Sequence, residues 1–349
     1  MASRYGASRV KFRDAILWPF SVPYEVVARL HAGAYRSGFF PQRRLNAFVI
    51  SVGNITVGGT GKTPMVLWIA LRLLAEGKSA GILTRGYRGE ASARKAQGSG
   101  NGLEPESASD EVQLLKSRLG DGVALGVGAD RFARGSELVA RGVQYFVLDD
   151  GFQYRHLARD VDIVLIDATN PFGGGHLLPA GRLREPRSAL TRAAIVVITR
   201  ATHSPAIEAA IRQDSRAPIF YANPHLDSVH LAESGAAVEA ALMQNRKFFG
   251  FCAIGNPPAF IDDLRKWGFQ LAGYRFFRDH HRYTQADALA IESEAASVHA
   301  DGLICTEKDL FNLDGVRWRS LPLYFCRISL DIDRPADFWL EITNRLNAP

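Results

Sequence analysis

The stretch that decides the fold is Phe48–Thr63, which reads FVISVGNITVGGTGKT. An apolar run leads into a glycine-rich turn that ends in Lys62 and Thr63, and helical spacing of apolar residues follows. Glycines allow successive backbone N–H groups to curl around phosphate oxygens, and a helix N-terminus adds a favourable electrostatic potential. Lys62 is expected to reach the β- and γ-phosphates, and the Thr63 hydroxyl to ligate Mg²⁺. The pattern therefore predicts a nucleoside triphosphate site.

The phosphate loop departs from the usual pattern at one position. In G-x-x-x-x-G-K-[ST] a glycine stands five residues before the second one, and here that position is Thr56. A glycine-rich turn without a ligand is the alternative interpretation, but a strand before the turn and a helix after it favour phosphate binding. The predicted nucleotide-binding residues are Thr56, Val57, Gly58, Gly59, Thr60, Gly61, Lys62 and Thr63.

A pair of adjacent carboxylates is predicted to anchor the metal ion. Asp149 and Asp150 follow the apolar run Tyr145–Leu148, which is typical of a buried strand. Two carboxylates side by side repel each other unless a cation lies close to both, so the pair indicates a Mg²⁺ site. A solvated acidic turn is the alternative. The sequence leaves open which of the two is the direct ligand.

The order of apolar and amphipathic segments predicts an α/β fold. Continuous apolar runs separated by helical segments are typical of a parallel sheet covered on both faces. We expect a P-loop NTPase-like, doubly wound, mostly parallel sheet with a second, smaller α/β domain. The predicted divisions are a basic amphipathic segment over residues 1–46, a P-loop domain over 47–240, and a smaller α/β domain over 241–349 that completes the active-site cleft.

Charge is concentrated at one end of the 349-residue chain. Residues 1–46 contain eight basic and two acidic side chains, a net +6 that equals the charge of the whole chain, so the remainder is neutral. A neutral body argues against a nucleic-acid partner, and no apolar run is long enough to span a bilayer.

Within residues 1–46, Pro19 and Pro23 are expected to divide the chain into short helices. Three cysteines without metal-binding spacing predict buried, reduced thiols and a cytoplasmic protein.

Several motifs together resemble the tetraacyldisaccharide 4′-kinases of lipid A biosynthesis. They are VGNITVGGTGKTP at 52–64, LTRGYRG at 83–89, SDE at 109–111, GADR at 128–131, LDDGFQYRHLARDVDIVLIDA at 148–168, LLPAGRLREP at 177–186, DHHRYT at 279–284 and TEKD at 306–309. The resemblance implies ATP- and Mg²⁺-dependent phosphorylation of the 4′-hydroxyl of a tetraacyldisaccharide 1-phosphate. It also implies a peripheral location on the cytoplasmic face of the inner membrane, with the basic N-terminal segment on the anionic lipid surface. Packing of that segment on the sheet is the alternative.

The resemblance assigns the chemistry to particular residues. It implies that Asp110 is the general base and that a histidine of Asp279–His281 assists it, with His280 preferred over His281. From the residues alone, Asp110 is as readily explained as a helix N-cap, and the two histidines as part of a solvated loop. Arg131 and Arg184 are expected to contact phosphates or the developing charge, since guanidinium groups donate paired hydrogen bonds to phosphate oxygens.

Further roles are predicted less directly. Glu111 is expected to support the metal or Asp110, and Tyr87 and Gln153 to contact the acceptor or nucleotide. Three further positions depart from the family pattern, since Val112 replaces a proline, Tyr154 replaces a histidine and Arg88 replaces a glycine. Other classes remain open, namely a GTP- or ATP-hydrolysing switch or metallochaperone, for which Thr306–Asp309 superficially resembles a base-recognition motif, and a non-catalytic membrane scaffold.

Overall fold

The computed structural model describes residues 12–86, 109–239, 243 and 245–346. Its strands are β1 (Phe48–Asn54), β2 (Ala80–Thr84), β3 (Ala124–Val127), β4 (Tyr145–Asp149), β5 (Val161–Asp167), β6 (Ile195–Thr199), β7 (Ile219–Leu231), β8 (Ala237–Val238), β9 (Lys247–Cys252), β10 (Gln270–Phe276), β11 (Gly302–Thr306) and β12 (Leu323–Ile332). Its helices are α1 (Phe12–Arg36), α2 (Lys62–Ala75), α3 (Asp110–Leu119), α4 (Arg131–Val139), α5 (Pro205–Arg212), α6 (Pro257–Lys266), α7 (Gln285–Ser297), α8 (Glu307–Leu310) and α9 (Pro335–Leu346).

The described residues fall into two compact units. The first unit comprises those of Met1–Lys62, Arg131–Asn223 and Ile332–Pro349, and the second unit those of Thr63–Asp130 and Pro224–Asp331. The division predicted from the sequence, at residues 46 and 240, stays a prediction.

The first unit is built on parallel strands in the order β4–β1–β5–β6–β7. Every residue of β5 and β6 is buried, as their largely apolar sequences predict for a sheet covered on both faces, although β5 also contains Asp162 and Asp167. The register places Val52 of β1 beside Asp149 of β4. Since parallel strands end at the same edge, the phosphate loop after β1 lies at the same edge as Asp149, which ends β4, and Asp150, which follows it.

The second unit also contains parallel strands. The pair β2 and β3 is parallel, and so is the set β10–β9–β11–β12. Apolar side chains from β9, β11 and α7, among them Phe251, Leu303 and Ile291, form one of its cores. The three cysteines lie buried and unbonded on β9, β11 and β12, as expected. The predicted α/β class with a mostly parallel, P-loop NTPase-like arrangement is confirmed.

Helix α1 differs from the prediction, because Pro19 and Pro23 lie inside one continuous helix of 25 residues. A proline removes one backbone donor and crowds the preceding turn. Docking of the helix offsets this cost, since the Ser21 hydroxyl donates to the Leu177 carbonyl and accepts from the Ala180 amide, both at 3.0 Å.

No helix among the described residues is long and apolar enough to cross a membrane.

Candidate active site

The phosphate loop leaves β1 and enters α2 in a braced conformation. The Asn54 amide donates to the Thr60 hydroxyl at 2.9 Å, and the Thr199 hydroxyl donates to the Thr60 carbonyl at 3.2 Å. The left-handed positions in the loop are Gly58, with φ of 123°, and Gly61, with φ of 88°. Such angles favour glycine because a Cβ is strained there.

Thr56 is tolerated at the position where the usual motif has glycine. It forms an antiparallel bridge with Leu183, and the neighbouring Val57 amide donates to the Arg182 carbonyl at 2.8 Å. Thr56 and Val57 therefore pair the phosphate loop with the backbone of residues 182–183. The departure in the sequence is compatible with the loop geometry.

Asp150 joins two cationic side chains beside the phosphate loop. Its carboxylate lies 3.4 Å from Lys62 Nζ and accepts hydrogen bonds of 2.8 and 2.9 Å from Arg184 Nη1. Burial raises the pKa of Asp150, but the charges of Lys62 and then Arg184 outweigh that effect and lower it. The carboxylate is thus ionised at neutral pH, and it gathers two positive charges at the end of the sheet.

The donor set near the loop fits a magnesium ion. Asp149 and Asp150 supply carboxylates, and Thr63 supplies a hydroxyl in the first turn of α2. Mg²⁺ prefers oxygen ligands and usually combines one or two carboxylates with substrate phosphates. Within the described ranges there is no cluster of three His, Cys, Asp or Glu residues suited to a metal.

Gln153 lies between the phosphate loop and Arg184. Its amide nitrogen donates to the Asn54 carbonyl at 2.8 Å and to Glu185 at 3.2 Å, and its oxygen accepts from Arg184 at 3.3 Å. Gln153 therefore supports the arginine that holds Asp150. Its predicted contact with acceptor or nucleotide stays a prediction.

Glu185 is a buried, ion-paired residue of the site that the sequence motifs did not predict. Its carboxylate pairs with Arg155 at 2.5 Å and with Arg192 at 3.0 Å. Burial of a carboxylate is tolerated when it is paired and hydrogen-bonded. Glu185 directly follows Arg184, so this anchor fixes the backbone from which Arg184 reaches Asp150. Its place in the quoted LREP motif was the only local signal.

Arg131 begins α4 and is buried. Its guanidinium group stacks on the Tyr154 ring, 4.4 Å from the ring centroid. Tyr154 is the residue that replaces the family's usual histidine, so here this position supplies an aromatic face for a cation. Contact between Arg131 and a phosphate remains a prediction.

The second unit contains the predicted Asp–His pair. His280 Nδ1 lies 2.8 Å and 3.0 Å from the two carboxylate oxygens of Asp110. The N-cap of α3 is Ser109, whose hydroxyl accepts from the Val112 amide. The N-cap explanation for Asp110 is therefore wrong. Asp110 occupies the first helical position, and its Oδ1 accepts from the Glu111 amide at 3.0 Å.

Three groups keep Asp110 ionised. Burial raises the pKa of its carboxyl group, but the hydrogen bond from His280 and the charge of Lys308 lower it to about 2. The Asn312 amide adds a donor at 2.9 Å from Oδ2. The hydrogen bond to Asp110 in turn raises the pKa of His280.

His280 and His281 have separate partners. The His280 backbone has a φ of 59°, and its N–H donates to the Ala253 carbonyl at 3.1 Å. His281 Nε2 instead lies 3.1 Å from Asp287, in the first turn of α7. His280 is thus the one of the two histidines that contacts Asp110 in these hydrogen bonds, and its role in catalysis stays a prediction.

Glu111 and Lys308 lie next to the pair. Lys308 Nζ is 3.2 Å from Glu111 and 4.0 Å from Asp110 Oδ2. Burial lowers the pKa of Lys308, but the charges of Glu111 and Asp110 outweigh burial and raise it. Glu111 therefore supports a cation here, and its predicted contact with Mg²⁺ stays untested. Tyr87 lies outside the described residues.

A glycine-rich loop between a strand and a helix of a parallel sheet, with a lysine at its end, defines a P-loop nucleotide-binding enzyme. The sequence model of the tetraacyldisaccharide-1-phosphate 4′-kinases matches residues 13–347, and the chain belongs to that family. The resemblance inferred from the motifs is confirmed.

Similar proteins cover nearly the whole chain. A tetraacyldisaccharide 4′-kinase of Geobacter metallireducens is 38% identical over 92% of this chain and 95% of the relative. One from Anaeromyxobacter dehalogenans strain 2CP-C is 41% identical over 84% and 79%. The crystal structure of LpxK from Aquifex aeolicus in complex with ATP has a TM-score of 0.70 and 25% identity, and the match covers 95% of this chain and 99% of that one.

Proposed function

We propose that the chain transfers the γ-phosphoryl group of ATP to the 4′-hydroxyl of a tetraacyldisaccharide 1-phosphate, which forms lipid IVA. Membership of the kinase family gives the reaction class. The observation that carries the proposal is the hydrogen-bonded Asp110–His280 pair, because a pure nucleotide switch needs no base for a sugar hydroxyl.

The proposed nucleotide site is the loop of Thr56–Thr63. Its backbone amides would bind phosphate oxygens, and Lys62 would neutralise the β- and γ-phosphates. Mg²⁺ held by Thr63, Asp149 and Asp150, with Glu111 as a further candidate ligand, would offset the charge of the phosphate oxygens. Arg184 and Lys62 both contact the Asp150 carboxylate, so both cations are suited to stabilise negative charge on the transferred phosphoryl group.

Asp110 is proposed to accept the proton of the acceptor hydroxyl. A sugar hydroxyl has a pKa far above 7, so its proton leaves as the bond to phosphorus forms, and a correctly placed carboxylate is sufficient. Asp110 is ionised across the physiological range because its pKa is about 2. Protonated His280 would compensate the buried charge and orient the carboxylate. Arg131, Tyr87 and Gln153 are proposed contacts to phosphate or acceptor.

The N-terminal segment is proposed to bind an anionic membrane surface. Helix α1 exposes Phe20, Val27 and Leu30, each about two-thirds exposed, and Phe39 beyond its end is 78% exposed. The first 46 residues carry a net charge of +6. Apolar side chains that enter the interface, beside arginines attracted to anionic lipid, are typical of peripheral membrane proteins. The proposed location is the cytoplasmic face of the inner membrane.

The geometry of Asp309 argues against a guanine-nucleotide switch. A base-recognition motif needs an aspartate that accepts from the base, but both oxygens of Asp309 are used inside the protein. Oδ1 accepts from the Ala253 amide and the Tyr283 hydroxyl, and Oδ2 accepts from Thr306. Its side chain is buried. The resemblance of Thr306–Asp309 to a base-recognition motif is therefore superficial.

The direct test incubates the purified full chain in detergent with Mg²⁺, γ-labelled ATP and the lipid disaccharide 1-phosphate. Label should move to the lipid. Lys62→Ala and Asp110→Ala should each lower the rate by at least about 100-fold. The controls Lys116→Ala and Asp121→Ala remove exposed charges of the same types and should leave it within twofold. Hydrolysis of ATP or GTP without labelled lipid would contradict the proposal.

A further inference from the structure

Asn312 is a buried amide that directly contacts the proposed base. Its Nδ2 donates to Asp110 Oδ2 at 2.9 Å, across 202 positions of sequence. We propose that Asn312 is a positioning residue that fixes the orientation of the Asp110 carboxylate. The inference rests on the proposed function, in which Asp110 accepts the proton of the acceptor hydroxyl.

The donors around Asp110 come from separate elements. Oδ1 accepts from the Glu111 amide at 3.0 Å, at the start of the same helix, and Oδ2 accepts from Asn312. His280 Nδ1 reaches both oxygens. Because His280 alone can serve either oxygen, it does not distinguish the two by itself. The Glu111 amide bonds only Oδ1 and Asn312 bonds only Oδ2, so Asn312 holds the oxygen that the helix backbone leaves unbonded and opposes rotation of the carboxylate.

The backbone of Asn312 is held by a buried hub. Its N–H donates to the Asp309 carbonyl at 2.9 Å, and its carbonyl accepts from the Tyr283 amide at 3.0 Å. The Asp309 carboxylate accepts from the Ala253 amide and from the Tyr283 hydroxyl, each at 2.8 Å. It therefore ties together the segments that carry Asn312 and His280.

The same hub reaches the other partner of Asp110. The His280 N–H donates to the carbonyl of Ala253, whose own N–H donates to Asp309. Both side chains that contact the Asp110 carboxylate, His280 and Asn312, are thereby anchored to one buried group. Such support is what a catalytic carboxylate needs, since displacement of about 1 Å can reduce a rate on the order of 100-fold.

The charges facing the pair determine what a change at Asn312 would do. Lys308, Glu111 and Asp279 are the other charged groups near Asp110 and His280. Asn312 Nδ2 donates to the same Oδ2 that lies 2.8 Å from His280 Nδ1, so the two groups share this oxygen. Without the Asn312 donor, Oδ2 interacts more strongly with protonated His280, so the pKa of His280 should rise.

The test uses the full chain with Asn312→Ala and the nearly isosteric Asn312→Asp. Each should lower kcat by about 10- to 100-fold and leave the KM for ATP within twofold. Histidine-ring NMR should show the His280 pKa above the wild-type value, more so in Asn312→Asp because a second negative charge is added. The kcat of Asn312→Asp relative to wild type should increase as the pH falls from about 8 to 6, since the protonated carboxyl can again donate.

Gln285→Ala is the matched control, because this amide in the same unit bonds the Arg317 carbonyl instead of Asp110. It should change neither kcat nor the His280 titration. The inference is overturned if the folded Asn312 variants keep kcat within twofold, or if kcat falls while His280 titrates as in wild type. If Asn312→Ala does not fold, Asn312→Asp alone decides.

Failure of the proposed function has a separate signature. The His280 titration needs neither ATP nor lipid, so it tests whether Asn312 acts on the pair in any case. Absence of phosphate transfer by the wild-type chain would refute the proposed function. An active wild type that loses activity with Asp110→Ala, but not with Asn312→Asp, would refute the role of Asn312 alone.

Discussion

The Asp110–His280 pair shows how neighbouring charges set the protonation of single residues. The pKa of His280 is raised first by its hydrogen bond to Asp110, while burial and the charge of Lys308 oppose the increase. Asp110→Asn should therefore lower the His280 pKa relative to wild type, and Lys308→Met should raise it. Histidine-ring NMR titration, with His280→Gln to assign the signal, would measure both. Shifts in the same direction would contradict this electrostatic account.

The same pair should make stability depend on pH. The folded pKa of His280 lies above its ordinary 6.5, so its contribution is fully present below that value and is lost as the pH rises through the folded pKa. The contribution of Asp110 is present above its ordinary 3.8 and is lost as the pH falls through about 2. The Tm difference between wild type and His280→Gln should thus be larger at pH 5 than at pH 9. A constant difference would show that the ion pair does not stabilise the fold.

The local sequence identified candidate site residues where they belong to a short motif. Lys62 and Thr63 follow a strand, and Asp110 and His280 lie in short recognisable stretches. It could not predict Asn312, because the contact with Asp110 joins distant segments that only the folded sheet brings together. Asp110 also illustrates a local ambiguity, since an aspartate at a helix start has two explanations until the structure identifies Ser109 as the cap.

Two capping boxes offer a comparison at the scale of the helix. Thr306 at the start of α8 and Thr284 at the start of α7 each bond the aspartate three residues later. Thr284→Val should cost about 1 kcal/mol of unfolding free energy, a usual value for an exposed cap. Thr306→Val should cost about 2–3 kcal/mol, because it leaves the buried Asp309 one donor short.

Urea unfolding of the two valine variants measures that difference, and the kinase assay adds a second readout. Helix α8 carries Lys308 and precedes Asn312, so Thr306→Val should also lower kcat, whereas Thr284→Val should not. Equal losses of stability, or equal kinetics, would mean that the buried cap has no special role in holding α8.

The sequence predicted strands correctly where the residues were mostly apolar. It predicted the helices wrongly at α1, where contacts with distant residues offset the cost of two prolines. The strand β6 is apolar up to Thr199 and β5 is apolar apart from Asp162 and Asp167, and both are entirely buried in a parallel sheet. The prolines of α1 indicated broken helices, yet the helix continues through them. Its Ser21 is bonded to residues 177 and 180, contacts that lie far from it in sequence.

At the scale of the molecule, the charge asymmetry and the exposed face of α1 support the proposal that the N-terminal segment binds a membrane. Phe20, Val27 and Leu30 recur at spacings of seven and three, so they share one side of the helix. Ser21, by contrast, is buried against the protein. The apolar side is thus free to enter a lipid interface while the other side docks to the fold.

The double variant Val27→Glu, Leu30→Glu should lower binding to vesicles of phosphatidylglycerol and phosphatidylcholine by more than about tenfold. Each change removes apolar contact and adds a charge that anionic lipid repels by about 1 kcal/mol. Leu340→Glu, on a similarly exposed leucine of α9, is the control and should bind as wild type does. Vesicle co-sedimentation should also weaken as salt increases, because exposed charges are screened. If both variants lose binding equally, the exposed apolar side of α1 is not the specific attachment site. If vesicles of phosphatidylcholine alone bind the protein as well, the charge of residues 1–46 does not contribute to attachment.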